Sequence, residues 1–383
     1  MFVCFLFLLT ASGSVAQKKR RNPALGSVFT PKISARLQAK ILSSGNTDGS
    51  VTVWIYFRDK GTVSQTLSRR KQEEIQQDLL PHCLWRRAKV RSQADLIDEH
   101  DAPLYASYID QIIPEVKRVR TVSRWLNALS AEITAAQLQF LGNCDFVRKI
   151  DLVMSFRRST PSLSVSEKSE TGSLQSLSLD YGPSFGQLDQ MNVIPLHESG
   201  FSGKNVVVCL LDTGFRKSHE IFRQAHVIAE WDFVNNDSDV EQEVENPEDY
   251  SDSHGTGTWS VLGGYKPGEL IGPAYQASFI LGKTETSLFE QPIEEDYWVA
   301  GVEWAEALGA EVISSSLGYT DWYTFQDMDG QTAVTTIAAN RATSLGVVVV
   351  NAVGNERAEA WGHIIAPSDG FDVIAVGAVD QAG

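Results

Sequence analysis

The chain has 383 residues, of which 43% are hydrophobic and 21% charged, and it carries a net charge of −15. That balance belongs to a protein with a packable core and excludes wholly disordered, collagen-like and coiled-coil chains. The acidity excludes a general nucleic-acid binder, which needs basic surface to displace phosphate counterions. The charge is also divided unevenly. Residues 17–180 hold 25 Lys+Arg against 17 Asp+Glu, or +8, whereas residues 181–383 hold 8 against 31, or −23. Two units with complementary fields are expected.

Residues 1–16 open with an apolar run, Phe2 to Leu9, and close with small residues at Ser14 and Ala16. This is the pattern of a secretory signal peptide cut after Ala16, so an exported, extracellular protein is expected. No later run is apolar enough to span a bilayer, and no membrane partner is expected. The four cysteines (Cys4, Cys83, Cys144 and Cys209) include no C-x-x-C pair, which argues against a disulfide framework or a zinc ribbon.

Residues 17–50 read as a polar N-terminal segment. Val51–Phe57 is β-branched and aromatic and predicts a strand. Residues 67–113 are charged, with apolar positions at helical spacing, and predict one or two helices. Ser123–Ile133 reads as a strand, and Thr134-Ala-Ala-Gln137 has the form of a capping box that opens a helix to about Leu141. Val147–Ile150 predicts another strand, making residues 51–155 a small α/β unit. Residues 156–180 read as a protease-accessible linker, with nine serines among the 24 residues from Ser155 to Ser178. From 181 to 383, continuous apolar runs (Val206–Leu211, Phe279–Leu281, Glu311–Ile313, Gly346–Val350 and Asp372–Val376) alternate with helical stretches at Asp296–Leu308 and Thr332–Ser344. Continuous rather than alternating runs are buried on both faces, as in a doubly wound parallel sheet.

In such a sheet, functional residues collect beyond the carboxyl ends of the strands. Three motifs fall there: Asp212-Thr-Gly214, Ser253-His254-Gly-Thr-Gly-Thr258 and Asn351-Ala-Val-Gly-Asn355-Glu356. Each alone is ambiguous, because Asp-Thr-Gly can be a turn, His254 a helix-start residue and Asn355 a turn residue tolerant of positive φ. Together they supply what peptide hydrolysis by an acyl mechanism needs. His254 is the base, Asp212 the carboxylate that orients it, and Asn355 a donor to the oxyanion.

These motifs resemble those of the subtilisin-like serine peptidases. Phe201–Gly214 is similar to the family's approach to its catalytic Asp, and Asp252–Thr258 to its His motif. The resemblance implies that Ser316, Leu317 and Gly318 lie beside bound substrate. It also implies that Ala352, Val353 and Gly354 form one wall of the first specificity pocket, with Asn355 in the oxyanion loop. Residues 123–150 resemble the inhibitory propeptide of such enzymes, which implies a ferredoxin-like α+β front unit acting as an intramolecular inhibitor. The implied activity is secreted serine endopeptidase action on protein or peptide substrates, with no cofactor required. On composition the acidic run Asp237–Asp252 reads by default as a solvated loop, while structural calcium, which the Asn235-Asn-Asp-Ser-Asp239 spacing permits, and a subsite for basic side chains are left open. The family's nucleophile lies in a Gly-Thr-Ser-Met/Phe-Ala segment that residues 1–383 do not contain. The domain is therefore expected to be C-terminally truncated, and the 383-residue form to be inactive.

Two other readings compete. An aspartic peptidase also uses Asp-Thr-Gly, but it needs two facing carboxylates, and no second such motif is present. A non-catalytic binding protein with a peptidase fold would keep Asp212 and His254 as structural residues.

Overall fold

The computed structural model describes residues 30–44, 49–61, 67–156, 178–241, 252–285, 293–321, 323–358 and 360–380. The signal-peptide reading of residues 1–16 lies outside them, as does most of the Ser-rich linker. No helix among the described residues is long and apolar enough to cross a membrane.

The front unit consists of α1 (Ala35–Ser44), β1 (Ser50–Phe57), α2 (Arg69–Gln77), α3 (Pro81–Arg87), α4 (Ala106–Ile112), β2 (Arg118–Ser123), β3 (Ala128–Thr134), α5 (Ala135–Asn143) and β4 (Val147–Leu152). Its four strands form an antiparallel sheet in the order β2-β3-β1-β4, the ferredoxin-like arrangement. The capping box forms as expected: Thr134 Oγ1 accepts from Gln137 N, and Gln137 Oε1 accepts from Thr134 N at 2.8 Å. Three local expectations change. Ser123–Ile133 is a hairpin rather than one strand, because Asn127 takes a positive φ of 50° and turns the chain. The predicted one or two helices of 67–113 are three short ones. The segment before residue 50 is partly structured: Ile33, Leu37 and Ile41 are buried against the front sheet.

A two-residue strand, β5 (Ser155–Phe156), follows, and then the larger unit. That unit consists of α6 (Phe185–Gln190), α7 (Val193–Glu198), β6 (Val207–Asp212), β7 (His226–Asp232), α8 (Ser253–Gly263), β8 (Tyr265–Lys266), β9 (Leu270–Ile271), β10 (Ser278–Lys283), β11 (Ile293–Glu294), α9 (Glu295–Ala307), β12 (Val312–Ser315), α10 (Val334–Ser344), β13 (Val348–Ala352) and β14 (Ile374–Val376). Six of these strands form one sheet in the order β14-β13-β12-β6-β10-β7, and every pair is parallel. The architecture is therefore the expected α/β sheet.

The crossover helices α9 and α10 carry the contact with the front unit. One buried apolar cluster includes Trp54, Leu129 and Ala131 of the front sheet with Val299, Val302, Ala338 and Ala339 of these helices. A second cluster, on the other side of the larger sheet, gathers Phe222, Trp259 and Phe279. All six parallel strands point the same way, so Asp212, Ser315 and Ala352 end on a common edge.

Candidate active site

Asp212 is the last residue of β6 and only 1% exposed. Its Oδ1 lies 2.6 Å from His254 Nδ1 and accepts from Thr213 N at 2.7 Å. Its Oδ2 accepts from Thr258 Oγ1 at 3.0 Å. His254 and Thr258 are four residues apart on α8, one helical turn, so a single helix face grips both carboxylate oxygens. The helix can come this close because of Gly255. A Cβ there would fall 2.1 Å from Gly214 O and 3.0 Å from Asp212 Cβ. The start of α8 is fixed by the buried Asp252, which is paired with Arg216 at 2.9 Å. Sequence reasoning missed Thr258 as a partner. The available signal was its spacing of four from His254.

Two strands away, Asn351 is buried at the end of β13, and its Nδ2 donates to Leu317 O and Ala352 O, both at 2.9 Å. This amide ties the segment Ser316-Leu317-Gly318, beyond β12, to Ala352-Val353-Gly354. Ser316 is exposed, whereas Leu317 and Gly318 are buried. Asn355 follows on an exposed turn. A cleft of about 480 Å³ opens beside Val353 and Gly354, lined also by Phe325, His363 and Ile364. The register pairs Leu211 with Ser315 and Ser315 with Asn351. At roughly 4.8 Å per strand, the Asp212 and Asn351 backbones are about 10 Å apart.

Residues 203–383 match the model of the subtilase family, peptidase S8, and residues 52–170 match that of the peptidase S8 propeptide domain of Bacteroidota. The chain carries a subtilase-family domain and is homologous to the subtilisins. Its relatives include subtilisin E of Bacillus subtilis (strain 168), 29% identical over 226 residues, which are 58% of this chain and 52% of that one. Subtilisin of Bacillus pumilus is 30% identical over 202 residues, 51% of this chain and 64% of that one. The chain thus spans about half the length of several curated relatives. Among solved structures, fervidolysin from Fervidobacterium pennivorans, a keratinolytic enzyme related to subtilisin, superposes with a TM-score of 0.54 at 19% identity. That match covers 87% of this chain and 43% of fervidolysin. The epidermin leader peptide processing serine protease of Staphylococcus aureus gives 0.52 at 13% identity, over 88% of this chain and 71% of that one. At these identities the structures bear on the fold alone, and the fold is subtilisin-like.

The propeptide domain meets the subtilase domain through acids on α9. Beside the site edge, β5 pairs antiparallel with β11, Ile293 opposite Phe156. Next along the chain, Glu295 Oε1 accepts from Trp54 Nε1 and Met154 N, each at 3.2 Å. Asp296 pairs with Arg120 at 2.8 Å. Glu303 accepts from Ser123 Oγ and from Arg124 N at 3.2 Å. Burial pushes the carboxyls of Glu295 and Glu303 up to about 7, against the hydrogen bonds that favour their charged forms. Glu306 is equally buried, but the hydrogen bonds and charge of Arg87 outweigh burial and hold it below the usual carboxylate range.

The acidic turn after β7 holds its own backbone. Asp232 accepts from Val234 N at 2.7 Å and Asn235 N at 3.0 Å and pairs with Lys283 at 2.7 Å. Among the described residues no group of three His, Cys, Asp or Glu is arranged to hold a metal ion.

Proposed function

We propose that this chain carries the propeptide and catalytic-domain residues of an exported serine endopeptidase working through an acyl-enzyme. In this reading, His254 takes the proton of a serine nucleophile through Nε2. Asp212 holds the ring by Nδ1 and stabilises the imidazolium that forms. Asn355 donates its side-chain amide to the oxyanion. Ser316–Gly318 lies alongside the substrate backbone, and Ala352, Val353 and Gly354 wall the first side-chain pocket. The reading assigns the nucleophile to no serine of residues 1–383 and expects it in a Gly-Thr-Ser segment further along the full-length protein. The chemistry needs no cofactor.

The observation that carries the reading is the 2.6 Å contact between Asp212 Oδ1 and His254 Nδ1 at a strand end of a subtilase domain. It is the geometry of a base oriented by a carboxylate, with the other ring nitrogen left for the nucleophile. The front half acts as inhibitor in the same reading, because its tail is paired with β11 at the site edge. Cleavage between Ser155 and Asp180 activates the enzyme.

The test uses the full-length protein. Wild type should hydrolyse peptides and be labelled by a serine-directed phosphonylating reagent, and His254→Ala should do neither. Asp212→Asn should lower turnover about 10⁴-fold by favouring the wrong tautomer. Normal turnover in His254→Ala refutes the assignment. A full-length protein that neither hydrolyses peptides nor takes the reagent points to the non-catalytic binding protein instead.

A further inference from the structure

At the end of the subtilase domain away from Asp212 and His254, α9 and α10 both terminate. Helix ends leave main-chain carbonyls without intrahelical partners and carry negative partial charge. Here the carbonyls of Glu306 and Leu345 at those ends, and that of Ala310 three residues beyond α9, converge on Arg86 of α3, which is 1% exposed. Its Nη1 donates to Ala310 O at 2.6 Å and Glu306 O at 3.3 Å, its Nε to Leu345 O at 3.2 Å, and its Nη2 to the Glu306 carboxylate. Arg87, fully buried, forks onto that same carboxylate, with Nε to Oε1 and Nη2 to Oε2, both at 2.8 Å. Its remaining donors are taken by Asp101 and Leu96 O.

The backbone is shaped to admit α3. A Cβ on Gly309 would meet His82 Cβ at 3.0 Å and Cys83 N at 3.1 Å, and one on Gly346 would meet Val90 Cγ2 at 3.1 Å. Leu80 N donates to Ala307 O at 3.2 Å. Around the rim, Lys89 pairs with Glu311 at 3.2 Å and Arg341 with Asp98 at 2.7 Å. None of these residues belongs to the β5–β11 contact, which lies at the opposite edge of the sheet.

We propose that the ends of α9 and α10 form a guanidinium-binding site whose occupant is the Arg86–Arg87 pair of α3, and that this site keeps the propeptide domain attached after the linker is cut. The retention, though not the site itself, rests on the propeptide reading above. The donor set selects arginine over lysine. Three carbonyls from two turns and one carboxylate match a planar fork with five N–H groups, whereas an ammonium offers three donors at one point. Separation has to break the whole fork of hydrogen bonds before water can reach Glu306, which makes dissociation slow. Cutting the linker frees the tail at the substrate edge, and the far end still holds.

The experiment places a recognition sequence for an added protease within residues 160–170 of the full-length protein, with His254→Ala present to prevent self-digestion. After cutting, the subtilase domain is immobilised and the loss of the front half is timed. The unmodified interface should hold it, and Arg86→Lys with Arg87→Lys should release it on the order of 10²-fold faster. Arg86→Lys alone gives the same comparison if the double variant fails to fold. Equal rates in the arginine and lysine forms refute a guanidinium-specific anchor. Immediate loss of the unmodified front half refutes retention. If the anchor holds but a cut protein with His254 intact is fully active with the front half attached, the propeptide reading fails and the binding site stands.

Discussion

Raising the pH should loosen the propeptide domain, and two carboxylates set the size of the effect. Glu295 and Glu303 are buried under the front sheet, and each is pushed up to about 7 by that burial. The groups facing Glu303 are Ser123, the main chain of residues 124 and 125, and the Arg124 guanidinium at 3.6 Å. Those around Glu295 are Trp54, Met154 and Tyr323, with Asp151 adding negative charge. With the front half gone, both side chains lie in water with an ordinary carboxyl pKa of about 4.3. The docked form therefore holds its protons more tightly. Its advantage is complete below about pH 4.5 and is lost as pH rises through about 7. A gap of about 2.5 pH units per group is on the order of 3 kcal/mol, so the two together weaken docking by about 10²–10⁴-fold between pH 5 and pH 8. Glu306, held low by Arg87 and Arg86 against its burial, and Asp98, held low by His100 and Arg341 against its burial, stay ionised across this window and do not oppose the trend. The assay is the dissociation constant of the linker-cut protein, measured by sedimentation at each pH, with Glu303→Gln expected to remove about half of the slope. A flat profile between pH 5 and pH 8, or docking that tightens with pH, would refute the argument.

Two further outcomes concern the site. Asn355→Ala should lower turnover of the full-length enzyme about 10²–10³-fold with little change in KM, since the oxyanion exists only in the transition state. Steady-state kinetics on a peptide substrate checks this. Gly255→Ala should push α8 off β6, because the new methyl meets Gly214 O, and a displacement of about 1 Å should cost about 10²-fold in kcat/KM.

The apolar strands were legible in the sequence because burial on both faces leaves unbroken runs, and Asp212 and Asn355 sit just past two of them, whereas His254 was legible only from its own motif at the start of α8. Thr134 and Gln137 were legible because capping is local. The hairpin at residues 124–127 was hidden because Trp125, Leu126 and Ala128 keep the segment apolar through the turn, leaving Asn127 as its marker. The anchor was hidden for a different reason. Arg86 and Arg87 look like solvated helix charges until Glu306, about 220 positions away, is placed against them. Periodicity reports which face of a helix is apolar but not which distant carboxylate neutralises a charge on it. The packing of Ile33, Leu37 and Ile41 was missed because so short a helix leaves too few apolar positions to reveal its period.

Cys83 lies within this anchor, fully buried, with Sγ 3.2 Å from Glu306 Oε1 and its thiol pushed up to about 12 by burial. While the two domains are joined, it is neither reachable nor able to form the nucleophilic thiolate. Once they part, α3 carries it away from Glu306 and its reactivity rises. Alkylation of this one native side chain therefore counts separations directly, at a rate equal to the fraction of time apart multiplied by the reactivity of a free thiol. The interface thus contains its own clock, readable by mass spectrometry at a residue the native sequence already carries.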